Sequence, residues 1–324
     1  MTGQADTVVP TGVLLMAYGT PEGPQQVEAY FTHIRGGRSP SPESVERLKR
    51  RYERVGGRTP LLEITEKVRS ALEKELNDRD DSCYRVYAGM KHWHPFIGEV
   101  VPRIAEDGIN RLIAVALAPH FSRISIGGYR KAVDESLAAL GQPMDVMFVE
   151  SWHLQPEFLD LIAALARTAL TKIPAEERDH VVAVFSAHSL PERIREWSDP
   201  YEFQLLASSA AIAQRAGLQD WRFAWQSAGN TGEPWLGPDI VDYLGTLHSE
   251  GVRCVLQLPI GFVSDHLEIL YDLDIEAREK AGKLGMTYER IEMPNAMPEF
   301  IRTLAAVVEG AARTSEATAM ARAP

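Results

Sequence analysis

VVAVFSAHSLPERI, residues 181–194, reads as a strand that runs out into a polar turn: Val181 to Phe185 are apolar, and Ser186 to Pro191 follow. A short, continuous, β-branched run is what a strand covered on both faces of a parallel sheet requires, and the proline marks its end. Seven more such runs are Val13 to Ala17, Tyr84 to Ala88, Leu112 to Leu117, Val146 to Glu150, Arg222 to Trp225, Cys254 to Leu258 and Tyr288 to Ile291. Longer amphipathic segments separate them, as crossover helices would. The strand ends also repeat: AYGTP after the first resembles SAHSLP after the fifth, and LAPHFS after the third resembles LPIGFVS after the seventh. The reading is an α/β fold of two lobes, each a four-stranded parallel sheet flanked by helices. Ligands of open parallel sheets bind beyond the carboxyl ends of the strands, so these polar ends should face a cleft.

The 324 residues exceed what one core comfortably supports, consistent with lobes at 1–153 and 154–297. A helix from Pro156 to Ile173 should join them, and one from Pro298 to Ala312 should pack back across them before a frayed tail from Thr314. A net charge of −11 argues against a nucleic-acid surface. No GxGxxG follows the first strand and no GxxxxGK[ST] occurs, so dinucleotide and nucleoside-triphosphate chemistry has no motif here. Cys83 and Cys254, far apart in apolar runs, read as reduced core residues. The first ten residues lack a signal-peptide pattern, and no eighteen-residue apolar run occurs. The expectation is a cytoplasmic monomer without stable membrane insertion.

His188 stands just past its strand, where the chain should surface at the cleft; an isolated histidine there could equally be bonded to backbone. The segment that weighs against the second reading is PIGFVSDHLEILYDLDIEAR, residues 259–278, with Asp265 expected to cap a helix. Glu268, Asp272 and Glu276 are four apart on it and form an acidic stripe between Leu267, Ile269, Leu270 and Tyr271. Carboxylates crowded among apolar residues repel one another unless a cation is shared. Carboxylate plus imidazole suits a divalent first-row metal that is later passed on.

LLMAYGTP, YFTHIRGGR, GGRTPL, LAPHFS, FSAHSLPERI, WQSAGNTGEPWLGPD, PIGFVSDHLEILYDLDIE and EMPNAMPEFI together resemble the ferrochelatase family in order and spacing, over nearly the whole chain. The resemblance implies two Rossmann-like lobes around a porphyrin cleft, with His188 and Glu268 as catalytic residues and metal ligands. Asp272 and Glu276 would line a route for incoming metal. It further implies that Arg35, Arg51, Tyr52, Thr59 and Tyr129 hold propionates and that Tyr18 ligates the iron of bound product. Without the resemblance, Arg51 in RLKRRYER would read as a solvated helix face. Lys91 and His92 end the second strand and are expected near the cleft. Trp197, Trp225 and Trp235 read as core or interface anchors.

Residues 23–43, GPQQVEAYFTHIRGGRSPSPE, are polar where membrane-associated protoporphyrin enzymes carry an apolar lip, which favours the coproporphyrin type. Ferrous iron is then a substrate, the porphyrin and its coproheme product are the partners, and no cofactor stays bound. Two cysteines cannot supply the four ligands of the iron-sulfur cluster found in some family members. A cobalt chelatase and a non-catalytic haem carrier are the rival readings: the first is usually organised around histidines, the second is commonly exported.

Overall fold

The computed structural model describes residues 9–79, 83–229 and 231–322; the expectation about a leader falls largely on residues 1–8, outside the described residues. Two all-parallel sheets are present. β1 (Thr11–Ala17), β2 (Tyr84–Met90), β3 (Arg111–Ala116) and β4 (Asp145–Val149) lie in the order β2-β1-β3-β4. β5 (Val182–His188), β6 (Trp221–Gln226), β7 (Cys254–Leu258) and β8 (Thr287–Arg290) repeat that order as β6-β5-β7-β8. The expected strands agree with these within a few residues.

The helices are α1 (Val27–Ile34), α2 (Pro42–Arg54), α3 (Leu61–Arg79), α4 (Ile97–Glu106) and α5 (Ile126–Leu140) around the first sheet. α6 (Pro156–Lys172), α7 (Tyr201–Ala216), α8 (Ile240–Ser249), α9 (Arg278–Lys283) and α10 (Pro298–Arg322) follow. One continuous core joins the sheets: Val13 and Leu15 of β1, Phe158 and Ile162 of α6, Phe185 of β5 and Phe300 and Leu304 of α10 belong to it. α10 packs on α3 and α6, and it continues to Arg322 where a frayed tail was expected. The alanines after Val308 favour the helix, and Ala311 and Ala312 still pack against the core. Cys254 is buried as expected, but Cys83 is exposed, because it lies just ahead of β2 rather than within it.

β5 also runs further than its apolar residues, to His188. Its ladder with β7 ends at Phe185↔Leu258, where Pro259 has no N–H to offer, whereas β6 stays paired through His188↔Gln226. His188 therefore sits at the carboxyl edge with one flank open. The chain leaving β7 crosses close over this end: a Cβ on Gly261 would fall 2.6 Å from the Cβ and 2.9 Å from the Cα of Ala187. Backbone cannot yield as a flexible side chain does, so Gly261→Ala is expected to cost about 1–3 kcal/mol in urea denaturation, the range of an overpacked core. An unchanged midpoint would show that the two strand ends are free to separate.

Candidate active site

Glu268 opens a π-helix, Glu268–Ala277, that leads into α9. An α-helix was expected. In the wider i→i+5 turn, residues four apart stop just short of a full turn instead of just past it, so the acidic stripe persists but slants. Asp265 does not cap this helix. Its backbone N–H donates to Asn295 Oδ1 (2.8 Å), its Oδ2 accepts from Asn295 Nδ2 (2.7 Å), and Arg290 lies 3.5 Å from Oδ1.

The Glu268 carboxylate lies between two imidazoles, with Oε1 3.4 Å from His188 Nε2 and Oε2 3.5 Å from His266 Nε2. His188 Nδ1–H donates to the Ser189 carbonyl at 2.5 Å, so its Nε2 must also carry a proton to meet the carboxylate favourably. Burial opposes that charge. The nearby Glu268 charge and hydrogen bond, with the Ser189 carbonyl, outweigh it and raise His188 to about 9. Reciprocally, burial works to raise Glu268, but His188 and His266 hold it well below the usual carboxylate range. The resting pair is imidazolium and carboxylate.

A buried polar network fixes this pair from beneath. Gln226 Nε2 donates to the Glu268 carbonyl (3.2 Å), while its Oε1 accepts from Ser186 Oγ (2.8 Å). Gln257 Nε2 donates to that same Ser186 oxygen (2.7 Å). Ser186, Gln226 and Gln257 are all 0% exposed, which ties the ends of β5, β6 and β7 to the first turn of the π-helix. Tyr201 OH donates to the His188 carbonyl at 3.1 Å, and the Trp235 ring lies 6.3 Å from the imidazole.

Asp272 points elsewhere. It accepts from the Arg51 guanidinium and from the Ser227 hydroxyl. Burial, only partly offset by Arg51, pushes it up to about 6. Ser227 holds φ at 61°, a left-handed conformation costly for a residue with a Cβ, and that conformation coincides with its contact to Asp272. Glu276 is exposed one turn on. The expected sharing of one cation by Glu268, Asp272 and Glu276 is therefore not preformed: among the described residues no three His, Cys, Asp or Glu side chains converge on a metal position. Asp272 is drawn away because Arg51 reaches it from α2, in the excursion between β1 and β2.

That reach docks the excursion between β1 and β2 onto the second lobe. Arg51 and Arg54 stack over Tyr271 at 4.6 and 5.6 Å, and Arg54 pairs with Glu279 at 2.5 Å. Arg51 is thus no solvated helix residue, and its buried Nε–H has no hydrogen-bond acceptor among the described residues. Tyr52 is buried, with its hydroxyl 2.9 Å from Thr20 Oγ1, which lies 3.1 Å from Thr59 Oγ1. Tyr18, at the end of β1, is 42% exposed and leans on His92 with ring centroids 4.5 Å apart. Desolvation and the Glu268 charge both raise its phenol, so it stays protonated at neutral pH. Tyr129 is buried in the first turn of α5, and Arg35 is exposed just past α1.

Among the tryptophans, Trp225 is core and packs on Tyr201 and Phe223, but Trp197 is 36% exposed, with Arg193 over its ring. Sequence reasoning missed His266, Ser227, Thr20 and the Ser186, Gln226, Gln257 network. Two signals were present: a second histidine beside Glu268 in DHLE, and a glutamine inside the apolar strand CVLQL.

The family model described as Ferrochelatase matches residues 10–312. A ferrochelatase of Herpetosiphon aurantiacus is 51% identical over 300 residues, covering 93% of this chain and 98% of that protein. Coproporphyrin III ferrochelatases of a Geobacillus species and of Bacillus subtilis are 46% and 44% identical over 299 residues, each alignment spanning 92% of this chain and 96% of the relative. Among solved structures, SirB from Bacillus subtilis with Fe3+ superposes with a TM-score of 0.57 at 11% identity, over 95% of this chain and 98% of that one, which is a likeness of fold. With the family model spanning nearly all of the described sequence, and with relatives this similar along their whole lengths, the chain belongs to the ferrochelatase family.

Proposed function

We propose that this enzyme inserts ferrous iron into coproporphyrin III to give coproheme, with His188 and Glu268 at the reacting centre. The observation that carries the reading is the charged pair itself: an imidazolium held against a carboxylate at the open carboxyl edge of the second sheet. Insertion releases two pyrrole protons and admits a dication. Glu268 supplies the charge that draws the cation in. As positive charge nears Glu268, the carboxylate no longer stabilises the imidazolium alone; His188 gives its proton up to solvent and becomes the base that takes the two pyrrole protons in turn, passing each on to water. Ser189, by holding Nδ1–H, keeps Nε2 as the working nitrogen.

Asp272 and Glu276, spaced along the π-helix behind Glu268, are proposed to guide the cation toward it. Arg35, Arg51, Tyr52, Thr59 and Tyr129 are proposed to hold the propionates, and Tyr18 to meet the metal from the first lobe. Arg51 suits the propionate role by its chemistry, since a guanidinium meets a carboxylate through paired donors. The coproporphyrin reading draws on the named relatives and on the α1–α2 segment, whose exposed long side chains, among them Glu28, His33, Arg35 and Arg38, are polar.

We read residues 1–153 and 154–297 as the two lobes, with the C-terminal helix bridging them. Iron is a substrate, and no permanent cofactor or iron-sulfur cluster is proposed, since the chain has two cysteines. Among the described residues no helix is long and apolar enough to cross a membrane. A cytoplasmic monomer is the proposed working form. The test is anaerobic turnover with ferrous iron and an equal mixture of metal-free coproporphyrin III and protoporphyrin IX. Preferential appearance of coproheme absorbance is expected; preferential protohaem would overturn the substrate, and neither product would overturn the activity.

A further inference from the structure

Lys91 follows β2 directly, at the carboxyl edge of the first sheet, and its placement is fixed on both sides. Its backbone N–H donates to the Ala17 carbonyl and that of His92 to the Tyr18 carbonyl, both at 2.9 Å, so the ends of β1 and β2 run side by side. The side chain then crosses toward α5. Nζ lies 5.2 Å from the centre of the Tyr129 ring and 3.4 Å from the Ser125 carbonyl, and a side chain at Gly128 would occupy the ammonium's own position. The site is thus shaped around the cation.

What it lacks is a counter-charge. Among the described residues Lys91 pairs with no carboxylate, although it is half-buried and the chain carries 45 acidic residues against 34 basic ones. A half-buried ammonium held by one long carbonyl contact and an aromatic ring is costly unless an anion completes it. Desolvation already lowers it to about 8, so it remains charged at neutral pH and available to an anion.

We infer that Lys91, with Tyr129, binds a carboxylate of the porphyrin that a dicarboxylate porphyrin does not have, and so sets the preference for the tetracarboxylate substrate. The inference rests on the proposed porphyrin reading and adds a residue to it. Arg35, Arg51, Tyr52 and Thr59 all lie on the excursion between β1 and β2, one group of donors. Lys91 and Tyr129 form a second group, between the end of β2 and the start of α5. A porphyrin carrying acids on one edge needs one group; a porphyrin carrying them around the rim uses both.

The test is equilibrium binding of metal-free coproporphyrin III and protoporphyrin IX to the full chain by fluorescence, with Lys91→Gln and Lys91→Arg beside wild type in one buffer. Loss of one charge-assisted contact predicts about tenfold weaker coproporphyrin binding for Lys91→Gln, with protoporphyrin changed less than about twofold. Lys91→Arg should recover most of the coproporphyrin affinity. Unchanged coproporphyrin binding, or equal losses for both porphyrins in a variant that melts like wild type, would overturn the inference. Failure of the wild type to insert iron would instead overturn the function on which it rests.

Discussion

His188→Ala is expected to lower iron insertion by about a hundred- to ten-thousand-fold, the usual contribution of a positioned acid–base group, while leaving coproporphyrin affinity within about threefold. The separation follows from geometry. His188 sits at the end of β5 and makes its polar contacts with Ser189 and Glu268, not with Arg35, Arg51, Tyr52, Thr59 or Tyr129. Removing the imidazole deletes the proton acceptor and leaves Glu268 with His266 as its remaining imidazole partner. Anaerobic stopped-flow absorbance reads insertion, and fluorescence quenching reads binding. Insertion within about fivefold of wild type would remove His188 from the reaction.

The parts of this arrangement that were legible in the sequence are those set by local rules. Parallel strands covered on both faces must be short apolar runs, so all eight could be read, and Pro156 announced the start of α6 as a first-turn proline does. His188 and Glu268 stood out in the sequence because one ends such a strand and the other opens an acidic stripe set among apolar residues in the segment after β7. What escaped depends on partners distant in the chain. Arg51 and Asp272 are 221 residues apart, and nothing in RLKRRYER distinguishes the arginine that reaches Asp272 from its solvated neighbours. Asp265 looked like a cap because Ser, Asp and Asn often are, but Asn295 and Arg290, brought alongside from around β8, outcompeted the helix for it. The π-helix escaped for a related reason: its four-residue spacing of acids suits an α-helix as well.

Glu268→Gln tests how the pair is tuned, and its signature lies in pH dependence. In the wild type, burial alone would lower His188 below its ordinary value near 6.5; the Glu268 charge reverses this and raises it to about 9. A neutral amide removes that charge, so burial should prevail and His188 in the metal-free variant should titrate well below the wild-type value, as followed by imidazole proton NMR. Base function needs the neutral ring, whose population grows as pH rises through its pKa. The acid limb of kcat/KM should therefore shift to lower pH in Glu268→Gln, even as kcat falls because the cation has lost its carboxylate.

Stability gives an independent check on the same sign. A pKa raised on folding stabilises the native state fully below the unfolded value near 6.5 and loses that contribution as pH climbs through about 9. Glu268, depressed on folding, contributes above its ordinary 4.5 and loses that contribution as pH falls. The difference in Tm between wild type and Glu268→Gln should thus be largest near pH 5–6 and shrink toward pH 9.5. A difference constant across that range, with an unmoved His188 titration, would mean that Glu268 does not hold the imidazolium, and the charged pair could no longer explain how iron displaces a proton at this site.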